Sequence, residues 1–293
     1  MANSVIALII DCDGTIAEDT TTKLVSYIGI NPTYFWRRVR FMERQGWEPT
    51  LAYMKLLVDW QSRQGIKRIT KKILQNVGQK INFSRGIPGY FKDIKNHVDQ
   101  KYGRDGISLN IFVVSSGFEE LIRASKITRY VDDIFGCRFE YDDKGVIIYP
   151  KAAVSFTEKT KFIYAINKGY SAEVLAGDPY CVNDQIPAHE RPIPLENMIY
   201  IGDGPTDVPC MSLLKAEGCI IFAVYTEPRQ GIPKTTYELA RQGRFTRGPY
   251  KRDYREGSDL RRVLESDIDG YAQRLIGEAK TRRRPAVRPP GGR

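Results

Sequence analysis

The chain has 293 residues, 42% of them apolar and 27% charged, the balance of a folded globular protein and not of a disordered one. No apolar run reaches the roughly 18 to 20 residues of a membrane span, and the first such run, Val5–Ile10, is short and lacks a basic segment before it, so neither a membrane helix nor a signal peptide is expected. The net charge is +10, with six of the basic side chains in the last fourteen residues.

Five cysteines (Cys12, Cys137, Cys181, Cys210 and Cys219) are scattered without a CxxC. That spacing fits reduced thiols and a cytoplasmic location better than disulfides or a zinc site. With only His97 and His189 in the chain, a three-histidine metal site is excluded. Chemistry, if there is any, falls to carboxylates, lysine or serine.

Along the chain, strands alternate with helical stretches, the pattern of an α/β fold with a parallel sheet. Val5–Ile10 is a continuous β-branched and aliphatic run, as expected of a strand buried on both faces. It leads into Asp11-Cys12-Asp13-Gly14-Thr15. Residues 17–85 read as helices punctuated by Gly29, Gly46, Gly65 and Gly78, and they hold all three tryptophans (Trp36, Trp47 and Trp60), enough to build a small core. After a helix at about residues 90–98, the strand 110–114 (NIFVV) ends in Ser115-Ser116-Gly117-Phe118. Residues 138–150 predict a hairpin turning at Asp142-Asp143-Lys144-Gly145. Residues 170–197 show no periodicity and read as an irregular excursion. Strand 198–201 (MIYI) then ends in Gly202-Asp203-Gly204-Pro205-Thr206-Asp207, and residues 219–224 (CIIFAV) predict another strand. The last residues, 281–293 (TRRRPAVRPPGGR), have the composition of a disordered basic tail.

In open α/β sheets, ligands bind beyond the carboxyl ends of the strands. Four carboxylates gather there: Asp11, Asp13, Asp203 and Asp207. They repel one another unless a cation lies between them, and hard oxygen donors with open positions favour Mg²⁺. Gly14 permits close approach of the first loop, whose backbone N–H groups, including that of Thr15, can face a phosphate.

DxDGT after the first strand, a hydroxyl ending the second, a lysine opening a helix and GDxxxD after a later strand occur in that order. In this the chain resembles the haloacid dehalogenase-like phosphatase superfamily, across residues 1–16 and 86–225. The resemblance implies a Rossmann-like core (1–16 and 86–280) with an inserted helical cap (17–85). It implies that Asp11 is a nucleophile forming an aspartyl-phosphate, and that Asp13 is the acid that protonates the leaving group and then activates water. By the same likeness Ser115, with Ser116 and Gly117, holds the phosphoryl oxygens, and Asp11, Asp13, Asp203 and Asp207 form the metal site. Lys159 is the better match for the site lysine because Ile163 and Ile166 give its helix an apolar face; Lys161 is the alternative. The Ser-Ser-Gly-Phe motif and helical cap look most like the phosphoserine phosphatase branch. That branch carries a glutamate at the start of the cap where this chain has Thr20, so a different small phosphomonoester is the expected substrate. The expected protein is a Mg²⁺-dependent phosphoric monoester hydrolase acting on a small phosphorylated metabolite.

Two alternatives stand beside it. One is a catalytically idle binding protein on the same fold. The other is a nucleic-acid-binding or RNA-end protein, suggested by the tail and by residues 241–255 (RQGRFTRGPYKRDYR), where Arg and Lys interleave with Phe245, Tyr250 and Tyr254. No P-loop or GxGxxG accompanies either.

Overall fold

A computed structural model describes residues 4–226 and 233–283. The expected strand Val5–Ile10 forms β1, and from Ile6 onward every side chain in it is buried. Four helices follow: α1 (Thr20–Tyr27), α2 (Pro32–Glu43), α3 (Pro49–Trp60) and α4 (Lys71–Gly78). Each begins at a side-chain cap, from Asp19, Asn31, Glu48 and Thr70 in turn, that accepts a hydrogen bond from a first-turn N–H. The chain returns through α5 (Gly89–Tyr102), β2 (Ser108–Phe118), α6 (Glu119–Arg123) and the hairpin β3 (Asp133–Tyr141) and β4 (Ile147–Ala152). Helices α7 (Glu158–Lys168) and α8 (Ala172–Gly177) precede β5 (Met198–Gly202), α9 (Val208–Ala216) and β6 (Ile220–Tyr225). Then come α10 (Lys234–Arg241), β7 (Arg247–Lys251) and the long α11 (Asp259–Arg283).

Among the described residues the sheet has seven strands in the order β4-β3-β2-β1-β5-β6-β7, all parallel except the β3–β4 hairpin. The chain moves outward from β1 to one side through β2 and β3, then to the other through β5, β6 and β7. The switch point is therefore at β1, between β2 and β5, where a crevice opens beyond the strand ends. Register puts the motif loops level: Ile10 pairs with Val113 and with Ile201, and the Asp11 N–H donates to the Ile201 carbonyl at 3.0 Å.

The insert joins the core through two crossing segments that pair with each other. Glu18 N–H donates to Asn82 O, Ser84 N–H donates to Ile16 O, and Ala17 bridges Phe83. The hairpin makes a third attachment, since Gln61 donates to the Ile147 carbonyl at 2.6 Å and accepts from the Ile69 N–H at 3.0 Å. In the insert's own core, Phe35 meets Trp36 and Trp60 edge-on, and Tyr34 stacks on Trp60.

Several expectations are revised. Residues 247–251 form an edge strand, with Phe222 paired to Arg247 and Tyr225 to Lys251; the polar sequence RGPYK gives no apolar run to announce it. Residues 170–197 contain α8 and three short 3₁₀ turns. They are tied down by Lys168, which donates to the carbonyls of Val182 and Asp184, and by Asn167, which donates to that of Ile193. Helix α11 continues to Arg283, past the expected start of the tail at 281; residues 284–293 lie outside the described residues.

Gly78 of α4 packs directly on α6, and a Cβ there would sit 2.1 Å from the Leu121 carbonyl oxygen. Gly78→Ala must push the insert off the core, so the unfolding free energy should fall by about 1–3 kcal/mol. Urea denaturation followed by tryptophan fluorescence measures this, all three tryptophans being in the insert.

Candidate active site

Lys159 lies fully buried at the start of α7, with its ammonium between two carboxylates. It donates to Asp11 Oδ1 at 2.6 Å and to Asp207 Oδ1 at 2.7 Å. Burial alone would drive a lysine toward neutrality, but the two carboxylates outweigh it and hold the ammonium charged, its pKa above the usual lysine value. Lys161, the alternative site lysine, pairs instead with Glu158 in a partly exposed bridge at 2.5 Å.

Asp207 is saturated. Its Oδ1 also accepts from the Tyr200 hydroxyl at 2.7 Å, and its Oδ2 accepts from the backbone N–H groups of Asp203 and Gly204 at 3.1 and 3.3 Å. Gly202 is required for this contact, because a Cβ there would lie 2.5 Å from Asp207 Oδ2. Asp207 therefore fixes Lys159 and the 203–204 loop and has little capacity left to ligate a metal. Asp11 keeps one lightly held oxygen, Oδ2, which accepts from Thr15 Oγ1 at 3.3 Å. Burial pushes the Asp11 carboxyl up to about 6, with Lys159 pulling against that rise, so it is largely ionised at neutral pH.

Asp13 faces the other way. Its two oxygens accept from the N–H and the hydroxyl of Thr20, at 2.9 and 3.1 Å. Burial, then the charges of Asp19 and Asp11, push its carboxyl up to about 8, so it carries a proton at neutral pH. The metal role expected for its carboxylate is not supported by this placement: the carboxylates close enough to share an ion are those of Asp11, Asp203 and Asp207. Gly117 is the point on which Asp13, Thr20 and Ser115 converge, since a Cβ there would lie 3.0 Å from Asp13 Oδ2, 2.9 Å from Thr20 Oγ1 and 3.1 Å from Ser115 Oγ. Ser115 Oγ accepts from the Gly117 N–H at 2.9 Å. The Ser116 hydroxyl is buried with no hydrogen-bond partner, while its carbonyl accepts from Tyr53 of the insert and from Cys137. Gly14 adopts φ +83° with Asp203 pressed against it; a Cβ there would lie 2.2 Å from Asp203 Oδ2.

The charge balance defines what the site can hold. Asp11, Asp203 and Asp207 bring three carboxylates and Lys159 brings one ammonium, an excess of two negative charges. Asp203 carries the strain: burial and then the charges of Asp11 and Asp207 push its carboxyl well above the usual range. An all-oxygen donor set with two charges to neutralise fits Mg²⁺, with Asp11 and Asp203 as the carboxylates free to ligate it.

The motifs thus bring together Asp11, Asp13, Gly14, Thr15, Ser115, Gly117, Lys159, Asp203 and Asp207. Tyr200 was missed, because alternation means nothing on a strand buried on both faces. Arg252 and Tyr254 were also missed as props of the first loop: they donate to Ala17 O at 2.6 Å and to Thr15 O at 3.4 Å. The basic segment 241–255 is largely occupied within the fold. Arg247 pairs with Asp267, Arg255 pairs with Asp253, and Tyr254 is fully buried.

No protein-family model matches the chain. In sequence it is similar to an uncharacterized protein of Borreliella burgdorferi, 27% identical over 233 residues, covering 72% of this chain and 79% of the relative. In structure it is similar to a phosphoserine phosphatase in apo form, at 15% identity and a TM-score of 0.54 over 89% of this chain and 98% of that one. It is similar as well to a phosphoserine phosphatase described as a phospho-aspartyl intermediate analogue, at 14% identity and a TM-score of 0.53 over 90% of this chain and 99% of that one. These likenesses show the fold, an α/β architecture of the haloacid dehalogenase-like type.

Lys159→Ala leaves Asp11 and Asp207 buried without their cation, and should cost about 3–5 kcal/mol of stability. Lys161→Ala removes only a partly exposed pair and should cost less than about 1 kcal/mol. Denaturation of the two variants side by side separates the lysines.

Proposed function

We propose that the protein is a Mg²⁺-dependent phosphomonoesterase that works through an aspartyl-phosphate on Asp11. The observation that carries this reading is the placement of two carboxylates on opposite supports. Asp11 is braced by Lys159 through Oδ1 with Oδ2 lightly held, and Asp13, two residues on, is held by Thr20, its carboxyl pushed up to about 8 against about 6 for Asp11. Carboxylates pushed apart in this way divide nucleophile from acid.

In the first step Asp11 Oδ2 attacks phosphorus, and the bond from phosphorus to the leaving oxygen breaks. Asp13 gives its proton to that oxygen, releasing the alcohol. Ser115 Oγ orients the phosphoryl oxygens, while Lys159 holds Asp11 Oδ1 still; contrary to expectation, the N–H groups of Gly14 and Thr15 do not face that position, because they donate to the carbonyls of Ala17 and Cys12. Asp13, now a carboxylate, takes a proton from water as that water attacks the aspartyl-phosphate, freeing Asp11 and inorganic phosphate. Bound at Asp11 and Asp203, Mg²⁺ would supply neutralisation of phosphoryl charge.

The substrate is read as a small phosphomonoester. Thr20 spends both its N–H and its hydroxyl on Asp13 and offers no charge to a substrate ammonium, which argues against phosphoserine. Five free, buried cysteines accord with a reducing compartment such as the cytoplasm. No described helix is long and apolar enough to cross a membrane.

Asp11→Asn should reduce p-nitrophenyl phosphate hydrolysis to background with folding retained; turnover above a few per cent overturns the covalent mechanism. Asp13→Asn should slow turnover by about 10²–10⁴, and less for nitrophenyl than for alkyl phosphates, because a good leaving group needs little protonation.

The metal is tested by titration. EDTA should abolish activity and added Mg²⁺ restore it. Asp203→Asn should lose Mg²⁺ activation, whereas Asp207→Asn, acting through Lys159 and the loop, should raise the Mg²⁺ requirement by about 10- to 100-fold. Full activity in EDTA refutes the assignment.

A further inference from the structure

The positive charge of this protein is unevenly placed. The cap, residues 17–85, holds thirteen Lys and Arg against five Asp and Glu, a net of +8. The last fourteen residues add +6, which leaves −4 for the rest of the chain. Among the described residues the cap has one ion pair, Lys55 with Asp59. Three of its seven arginines lie over aromatic rings instead: Arg37 is 5.3 Å from the Tyr34 ring centre, Arg38 is 4.7 Å from that of Phe41, and Arg63 is 4.4 Å from that of Trp60. Tyr34, Arg37, Arg38, Phe41 and Arg44 follow one another at helical spacing along the outer face of α2, a stripe about 15 Å long at 1.5 Å per residue. The rings of Tyr34 and Phe41 remain 48% and 46% exposed.

We propose that this face of the cap binds single-stranded nucleic acid, the guanidinium groups meeting phosphates, the ring of Phe41 stacking on a base and the exposed edge of Tyr34, whose face is stacked on Trp60, packing beside the next. Cations alone suit any polyanion, but alternation of cations with half-exposed rings suits a strand that offers phosphate and a π-face at each step. An anionic membrane fits less well. A helix lying in a bilayer surface needs a free apolar face, and the apolar face of α2 (Phe35, Val39 and Met42) is buried within the cap. The stripe lies on the side of α2 away from Trp36, whose indole donates to Thr22 in α1 at 2.7 Å. It is thus a tethering surface distinct from the active site, and its binding does not depend on the phosphatase reading.

The test is fluorescence anisotropy of the full chain with a labelled single-stranded oligonucleotide of about 12 nucleotides, within the usual footprint of such surfaces. Binding should weaken by about 20-fold between 50 and 200 mM salt, as expected for roughly three phosphate contacts. Arg37→Glu/Arg38→Glu should weaken it at least 10-fold. Lys92→Glu/Arg104→Glu, an equal charge change on exposed core residues, should change it less than 2-fold. Tyr34→Ala/Phe41→Ala, which keeps every charge, should weaken it at least 3-fold, with the melting temperature of each variant as the folding control. The proposal is overturned if wild type does not bind, if the core variant loses as much as the cap variant, if removal of the rings has no effect, or if phosphatidylserine vesicles are bound in preference to the oligonucleotide.

Discussion

The site rests on one buried ammonium. Lys159 reaches from α7 to a carboxylate after β1 and another after β5, and so closes the crevice floor where the sheet reverses direction. A lysine taken out of water is costly, and so is each carboxylate. None of the three is tolerable alone, which explains why the surrounding donors converge on the pair. Tyr200 and two backbone N–H groups fill Asp207 so that its position is fixed. Asp11 is left with an oxygen to spare. Lys159 neutralises only one of three clustered charges, and the imbalance that raises the Asp203 carboxyl is one that a cation between Asp11 and Asp203 would relieve.

Asp13, the acid of the proposed mechanism, is governed from the opposite side. Both hydrogen bonds to Asp13 come from Thr20, the first residue of α1, so this carboxyl is oriented by the inserted helices and not by the sheet. Any displacement of the cap alters this carboxyl directly. The cap is restrained at its crossings by the chain beyond β7: Arg252 holds Ala17, and the Tyr254 N–H holds Arg85 O. A side chain on Gly86 would collide with the Tyr254 backbone at 2.4 Å. Residues distant in sequence therefore set the attitude of the inserted helices, and through Thr20 the position of the Asp13 carboxyl.

Much of this was legible because strand ends are written in contiguous residues. Val5–Ile10 and Asp11 to Thr15 specify both a buried strand and the loop that leaves it, and the hairpin turn at residues 142–145 follows from Asp-Asp-Lys-Gly. Lys159 could be preferred to Lys161 from the apolar spacing behind it. What escaped notice depends on contacts between distant segments. The strand β7 has the composition of a loop and is held by pairing with β6. Tyr200 is indistinguishable in sequence from the core residues around it. That Asp13 turns to Thr20 while Asp203 turns to Gly14 is decided by packing in three dimensions. The basic-aromatic run at 241–255 read as a surface because composition does not show that Asp267 and Asp253 would meet its arginines.

The distribution of charge gives the same residues a longer-range role. A crevice with two excess negative charges repels a phosphate dianion until a metal enters, and a net −4 over the core does nothing to reverse that. The inserted helices, by contrast, carry a net +8, and a field of one sign raises the local concentration of counter-ions around it. Because three of their seven arginines rest on rings and not on carboxylates, that field is not cancelled by internal pairs. The fold thus keeps two opposing fields on separate elements: carboxylates gathered at the strand ends, and basic groups carried by the inserted helices.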